Sequence, residues 1–209
     1  MKWLLVCLAA FASGIWAADS WPLSTDDTAT VVAVEHGRPV LKRLGVPGGR
    51  SNWLPSGAPE ILPPAVGSQG RSAPTNWKFQ GGSLDSPGGK LTLRFTNADP
   101  ALELLSIWRA SPGRGPVEHW LTIANKSGGP VTLSQQESLV LSGLAVPSGE
   151  ADVWWINRGG SNAGTEGGTY TKRFDAEFDQ VLTSDPTDGS SPVPWLAIQV
   201  AKVQGLYVG

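Results

Sequence analysis

Trp154 and Trp155 are adjacent, and Ile156, Asn157, Arg158, Gly159, Gly160, Ser161 and Asn162 follow directly behind them. A flat indole can stack on the C–H face of a pyranose ring, and the planar ends of Asn and Arg make forked hydrogen bonds to hydroxyls. Glycines between them let backbone and ligand approach closely. Trp154, Trp155, Asn157, Arg158 and Asn162 are therefore the candidate sugar-binding set. On an extended strand successive side chains leave opposite faces. One indole can then anchor the core while its neighbour stands at the surface. The same run also fits a plainer arrangement, a strand end with one core tryptophan and an ordinary loop.

Other chemistries find little support. The two histidines, His36 and His119, lie far apart, and the single cysteine is Cys7, which leaves a zinc site short of ligands. Asp175, Glu177 and Asp179 alternate along the chain and could face a calcium ion, although a solvated charged face explains them more simply. There is no Gly-x-Ser-x-Gly elbow and no phosphate-cradling glycine loop with its lysine. A retaining glycosidase needs two carboxyl groups about 5–5.5 Å apart. Glu118, Glu137, Glu150 and Glu166 are acids in principle, and nothing singles out a pair. No catalytic residue and no cofactor is assigned. Formal charge is −2, and the nearest thing to a basic cluster is Lys42-Arg43, so nucleic acid is an unsuitable partner.

The chain of 209 residues opens like an address label. Met1-Lys2 supplies a positive start, residues 3–15 are mostly apolar, and Trp16-Ala17-Ala18 offers small residues at a cleavage point after Ala17. This reads as a secretory signal over 1–17, too short for a membrane span. Because Cys7 lies within it, the exported protein would hold no cysteine, which points to a secreted or periplasmic bacterial protein. Residues 18–209 then form one β-sandwich domain.

The elements that must position the Trp-Trp run are short strands. With 26 Gly and 17 Pro, long helices are excluded, and alternation rather than a helical period recurs. Strands are expected at 30–34 and 40–44, around a turn at His36-Gly37-Arg38-Pro39. Residues 45–75 read as an ordered loop holding Trp53. Leu91, Leu93 and Phe95 mark the inward face of the next strand, followed by 102–108. Val117, His119, Leu121 and Ile123 share one face of another strand, against Glu118, Trp120 and Thr122. Strands at 131–133, 138–141, 170–178, 195–200 and 206–208 complete an all-β, antiparallel two-layered sandwich. The apolar run ending at Gly209 reads as a strand cut short, as in a fragment of something longer.

Taken in order, several phrases resemble the amino-terminal region of bacterial α-galactosidases of glycoside hydrolase family 36, the melibiase group. They are Val117-Glu118-His119-Trp120-Leu121-Thr122-Ile123-Ala124-Asn125, Val131-Thr132-Leu133 with Glu137-Ser138-Leu139, and Pro194-Trp195-Leu196-Ala197-Ile198-Gln199 with Gly205-Leu206-Tyr207. The likeness spans 31–209, and the Trp-Trp-Ile-Asn loop departs from the better-known members. It implies a galactose-mutarotase-like β-supersandwich truncated before a (β/α)8 barrel. In that family the nucleophile and the acid/base belong to the barrel, so no catalytic residue carries over. The implied partners are an α-galactoside or related carbohydrate, the barrel itself and a neighbouring subunit. The chain is then the non-catalytic sandwich of a secreted, retaining α-galactosidase-like enzyme, with Trp195, Leu206 and Tyr207 forming an apolar patch toward the barrel. A free-standing carbohydrate-binding module is the alternative, and a structural sandwich without a ligand is a third reading.

Overall fold

The computed structural model describes residues 20–85, 89–134, 144–146, 151–157, 168–175, 178, 182, 191–193, 195–200 and 204–209. The expected leader and the strand expected at 138–141 lie outside them.

Strand β1 (Ser20–Ser24) pairs with β2 (Ala29–Glu35), β2 with β3 (Arg38–Gly45), and β3 with the two-residue β4 (Ala58–Pro59). His36 and Gly37 turn the β2–β3 hairpin with φ of 52° and 75°. Two positive φ values in a two-residue turn match the right-handed twist of the flanking strands.

A three-stranded sheet runs in the order β11-β5-β6, from β5 (Ala65–Ser68), β6 (Arg71–Pro74) and β11 (Val131–Thr132). A meander of β7 (Lys78–Leu84), β8 (Lys90–Asn97), β9 (Leu102–Ala110) and β10 (Val117–Asn125) forms the next sheet. The last holds β12 (Ala151–Asn157), β13 (Gly168–Phe174), β14 (Leu196–Val200) and β15 (Gln204–Val208), in the order β13-β12-β14-β15. Every pairing is antiparallel, and no helix occurs among the described residues. The protein is an all-β sandwich, as the alternation predicts.

The main core lies between the first sheet and the meander. Leu91, Leu93 and Phe95, expected inward, are fully buried against Leu23, Val32, Leu41 and Leu54, with Leu104 and Trp108 from β9. Each such side chain contributes about 1.5–3 kcal/mol on leaving water, and their spacing of two gives the meander a single buried face.

A second core joins Trp53 to Ala151, Val153, Ile198 and Leu206 of the last sheet, while Leu44 and Leu144 touch both cores. Trp53 is placed by its neighbour. Asn52 Oδ1 accepts from the amides of Leu44 and Leu54 at 3.0 and 3.1 Å, and its Nδ2 donates to the carbonyls of Leu54 and Lys42 at 2.9 and 3.2 Å. One side chain thus supplies the backbone pairing that a strand would otherwise provide. At Gly45 a Cβ would lie 2.6 Å from the Ser51 carbonyl oxygen, so the chain turns here only with glycine.

The stretch 45–75 departs from its expected character as a loop, since it contains β4, β5 and β6. These strands are two to four residues long and built mostly from Ala, Gly, Ser and Pro, too short to show a period. Their one local signal is Gln69-Gly70, at φ of 50° and 74°, the turn of the β5–β6 hairpin. The strand expected over 170–178 ends at Phe174.

At the far edge, Asp27 fastens the β1–β2 turn to the β9–β10 loop. Its Oδ1 accepts from the Gly115 amide at 3.0 Å and from the hydroxyls of Thr25 and Thr28 at 3.0 and 3.3 Å. The Gly115 carbonyl, 2.8 Å from Thr25 Oγ1, is the alternative acceptor for that threonine's single hydroxyl proton. The Gly115 amide above all holds the Asp27 carboxyl below the usual carboxylate range.

Candidate functional site

Strand β12 lies between β13 and β14, so each of its side chains has neighbours on both flanks. The two tryptophans part company there. Trp155 shares the inner face with Ala151 and Val153 and packs on the second core. Across from it Tyr170 stacks nearly parallel, with centroids 5.7 Å apart and planes at 14°. Tyr170 is 42% exposed, so the stack runs from the core outward to solvent.

Asn157 falls on the same face two residues on, opposite Gly168. A Cβ at Gly168 would rest in ordinary contact with the Tyr170 ring, 3.4 Å from its nearest atom. Asn157 Oδ1 is buried and receives no hydrogen bond. A buried acceptor without a donor costs about 1–3 kcal/mol, and such atoms call for an explanation such as a water or a ligand hydroxyl. An aromatic stack beside a planar amide can read the apolar face and one hydroxyl of a sugar.

Trp154 points the other way. It lies between Thr171 of β13 and Ala197 of β14 on the outer face, and its indole Nε1 is buried without an acceptor. Tyr207 is paired with Ala197, and Trp195 lies against Tyr207 with centroids 5.2 Å apart. Leu206 does not join them: it turns inward to the second core, because neighbours on β15 leave opposite faces. The apolar patch read from Trp195, Leu206 and Tyr207 is therefore a patch of the two aromatics. Of the five candidate residues, the structure brings Trp155 and Asn157 together and sets Trp154 on the opposite face. Arg158 and Asn162 lie outside the described residues. Tyr170 is the partner the sequence reading missed, and its only signal was an aromatic residue in the strand after the glycine-dense loop.

A second polar constellation is buried between β4 and the meander. Glu60, whose side chain is fully buried, lies 2.9 Å from His119 Nε2 through one oxygen and accepts from the Ser106 hydroxyl at 2.9 Å through the other. Trp108 Nε1 donates to Ser106 Oγ at 3.1 Å, and the His119 ring lies 4.2 Å from Trp108. Serine, histidine and glutamate invite comparison with a nucleophilic triad. The wiring differs, since the serine hydroxyl donates to the carboxylate instead of to the imidazole, and the His119 side chain is only 7% exposed. This arrangement ties β4 to β9 and β10. Glu60 gave no sequence signal inside a Pro-rich run.

Glu118 pairs instead with Arg109, Nε to Oε2 at 2.6 Å, and that bond holds its carboxyl below the usual range while raising the guanidinium. A general acid needs the opposite shift. Arg109 also lies 5.5 Å over the Trp120 ring. Glu137, Glu150 and Glu166 lie outside the described residues, as do Glu177 and Asp179. Among the described residues no three His, Cys, Asp or Glu side chains gather as metal ligands. A cleft of about 490 Å³ opens beside β5, β6 and β11, and Gln69, Arg71, Ser72, Thr132 and Ser134 are among its lining residues, with no acid.

No family model matches the sequence, and neither does any curated protein. The fold does find counterparts. The GH36 α-galactosidase AgaA from Geobacillus stearothermophilus superposes with a TM-score of 0.63 at 12% identity, over 88% of this chain and 32% of the enzyme. The α-galactosidase from Lactobacillus brevis superposes equally well, with a TM-score of 0.63 at 12% identity, over 90% of this chain and 31% of the enzyme. The chain thus spans about a third of the length of these enzymes, and at this identity the likeness is one of fold. The resemblance carried by the ordered strand phrases is met in the tertiary structure.

Proposed function

We propose that this chain is the non-catalytic β-sandwich of an α-galactosidase-like glycoside hydrolase, supporting and edging a catalytic barrel that lies outside this sequence. The carrying observation is the superposition of nearly the whole chain on about a third of two α-galactosidases. The carboxylates described here support the same reading: Glu60 is held between His119 and Ser106, and Glu118 is neutralised by Arg109. The parent enzyme would be retaining and free of cofactors, its acids supplied by the barrel. The ligand would be an α-galactoside or a related carbohydrate, met here by Trp155, Asn157 and Tyr170 with Arg158 and Asn162 of the adjoining loop. Neighbouring subunits could share that edge in a homo-oligomer. The apolar leader and the lack of any later cysteine support export to the periplasm or medium, with cleavage after Ala17.

The coding sequence beyond Gly209 tests this directly. A (β/α)8 barrel with two acidic residues is expected in frame, and the joined protein should hydrolyse a chromogenic α-galactoside that the sandwich leaves intact. A stop codon at that point overturns the enzyme reading. The Trp155–Tyr170 stack would then favour a free-standing carbohydrate-binding module, visible as saturable sugar binding by the chain alone.

A further inference from the structure

The outer face of the last sheet carries a cross-strand row that the Trp155 site does not use. Strand register places Tyr207, Ala197, Trp154 and Thr171 side by side across β15, β14, β12 and β13. Adjacent strands are about 4.8 Å apart, so Tyr207 and Trp154 flank Ala197 at a separation of about 10 Å. Ala197 carries only a methyl group, so the two aromatic side chains can flank a slot above it. Trp195 braces Tyr207 on one side, 5.2 Å away. Tyr207 is 57% exposed, so one wall stands in solvent.

The next row on the same face is polar. Gly205, Gln199, Asp152 and Arg173 line up in register, and Asp152 is paired with Arg173 at 3.3 Å. Gly205 contributes no side chain, so the end of this row is open. Aromatic walls over a small residue, beside an amide, a carboxylate and a guanidinium, are complementary to a neutral pyranose. Such a ring offers apolar C–H faces and a rim of hydroxyls that both donate and accept.

We infer that the slot above Ala197, between Trp154 and Tyr207, is a second carbohydrate subsite, on the face opposite the Trp155–Tyr170 stack. It takes one pyranose residue of a neutral oligosaccharide. Aromatic faces hold the ring, and Gln199 with the Asp152–Arg173 pair meets its hydroxyls. The inference extends the carbohydrate reading above but depends on different residues.

The test is titration of the chain with melibiose, lactose and cellotetraose, followed by tryptophan fluorescence and by the indole N–H signals in NMR. Tyr207→Ala removes an exposed wall and Ala197→Leu fills the slot, and circular dichroism checks that each variant keeps its fold. Each change is expected to weaken binding about five- to tenfold. Tyr170→Ala on the other face should leave this binding component in place. Absence of saturable binding at tens of millimolar sugar, or binding indifferent to both Tyr207→Ala and Ala197→Leu, overturns the second subsite. Binding lost in Tyr170→Ala alone overturns it too, while leaving the proposed carbohydrate function standing.

Discussion

Replacing Glu60 with alanine is the severest single test of how this sandwich is held together. The Glu60 side chain is fully buried and both its oxygens are engaged, one with His119 Nε2 and one with the Ser106 hydroxyl, each at 2.9 Å. Truncation strands both of those groups in the interior, at about 1–3 kcal/mol each. The sum, about 2–6 kcal/mol, brackets the usual cost of about 3–5 kcal/mol for removing one member of a buried pair. A domain is stable by only about 5–15 kcal/mol, so the loss is a large share. With a urea slope of about 2 kcal/mol/M the midpoint should fall by about 2 M. Unfolding followed by tryptophan emission reads this directly, because Trp108 lies against the His119 ring. Glu60→Gln should cost much less, about 1 kcal/mol, since its carbonyl still accepts from Ser106 and its amide still faces the His119 ring. Replacing Glu60, Ser106 and His119 together by Leu, Ala and Leu should recover part of the deficit, because only the Trp108 indole N–H is then left without its partner. A Glu60→Ala loss below about 1 kcal/mol, or a triple variant no better than the single one, would refute the reasoning.

Gly45→Ala should destabilise by about 1–3 kcal/mol, measured by urea unfolding, because its methyl group must displace the Ser51 carbonyl. Asn52→Ala should release the loop that carries Trp53, removing four hydrogen bonds at once; faster amide exchange at Leu44 and Leu54 would show it. Asp27 should titrate below the ordinary carboxylate range in an NMR titration. A carboxyl depressed by folding adds stability above its unfolded pKa, and that stability is lost as pH falls through the folded value. Asp27→Asn should therefore flatten the acid limb of stability against pH. Glu118 should behave likewise until Arg109→Ala removes its partner and lets its pKa rise. In whichever assay detects sugar at the inner face, Trp155→Ala and Tyr170→Ala should each weaken binding about tenfold, since the two rings act as one stack.

Alternation made the meander legible before any coordinates. Leu91, Leu93 and Phe95 can bury together only on a pleated strand, and all three are buried. His36-Gly37 announced its hairpin through residues that tolerate positive φ, and the turn is there. The β5–β6 hairpin was hidden because four-residue strands of mostly small residues carry no period, and their pairing is with each other and with distant β11. The ordered phrases around β10, β11 and β14 pointed to the fold that the superposed enzymes share at 12% identity.

The chain by itself determined that adjacent tryptophans on a strand must diverge, that long helices were excluded, and that nucleic-acid binding lacked its electrostatic footprint. Only the tertiary structure decided which indole goes where. Packing of Ala151 and Val153 against Trp53 turns Trp155 inward to meet Tyr170 and leaves Trp154 with Ala197 and Tyr207. It likewise brought Glu60 to His119 and Ser106 across 59 and 46 residues of sequence. The physical reason is the same in each case. Local spacing fixes which side of a strand a residue occupies, whereas the side that faces the core depends on contacts between segments far apart in the chain.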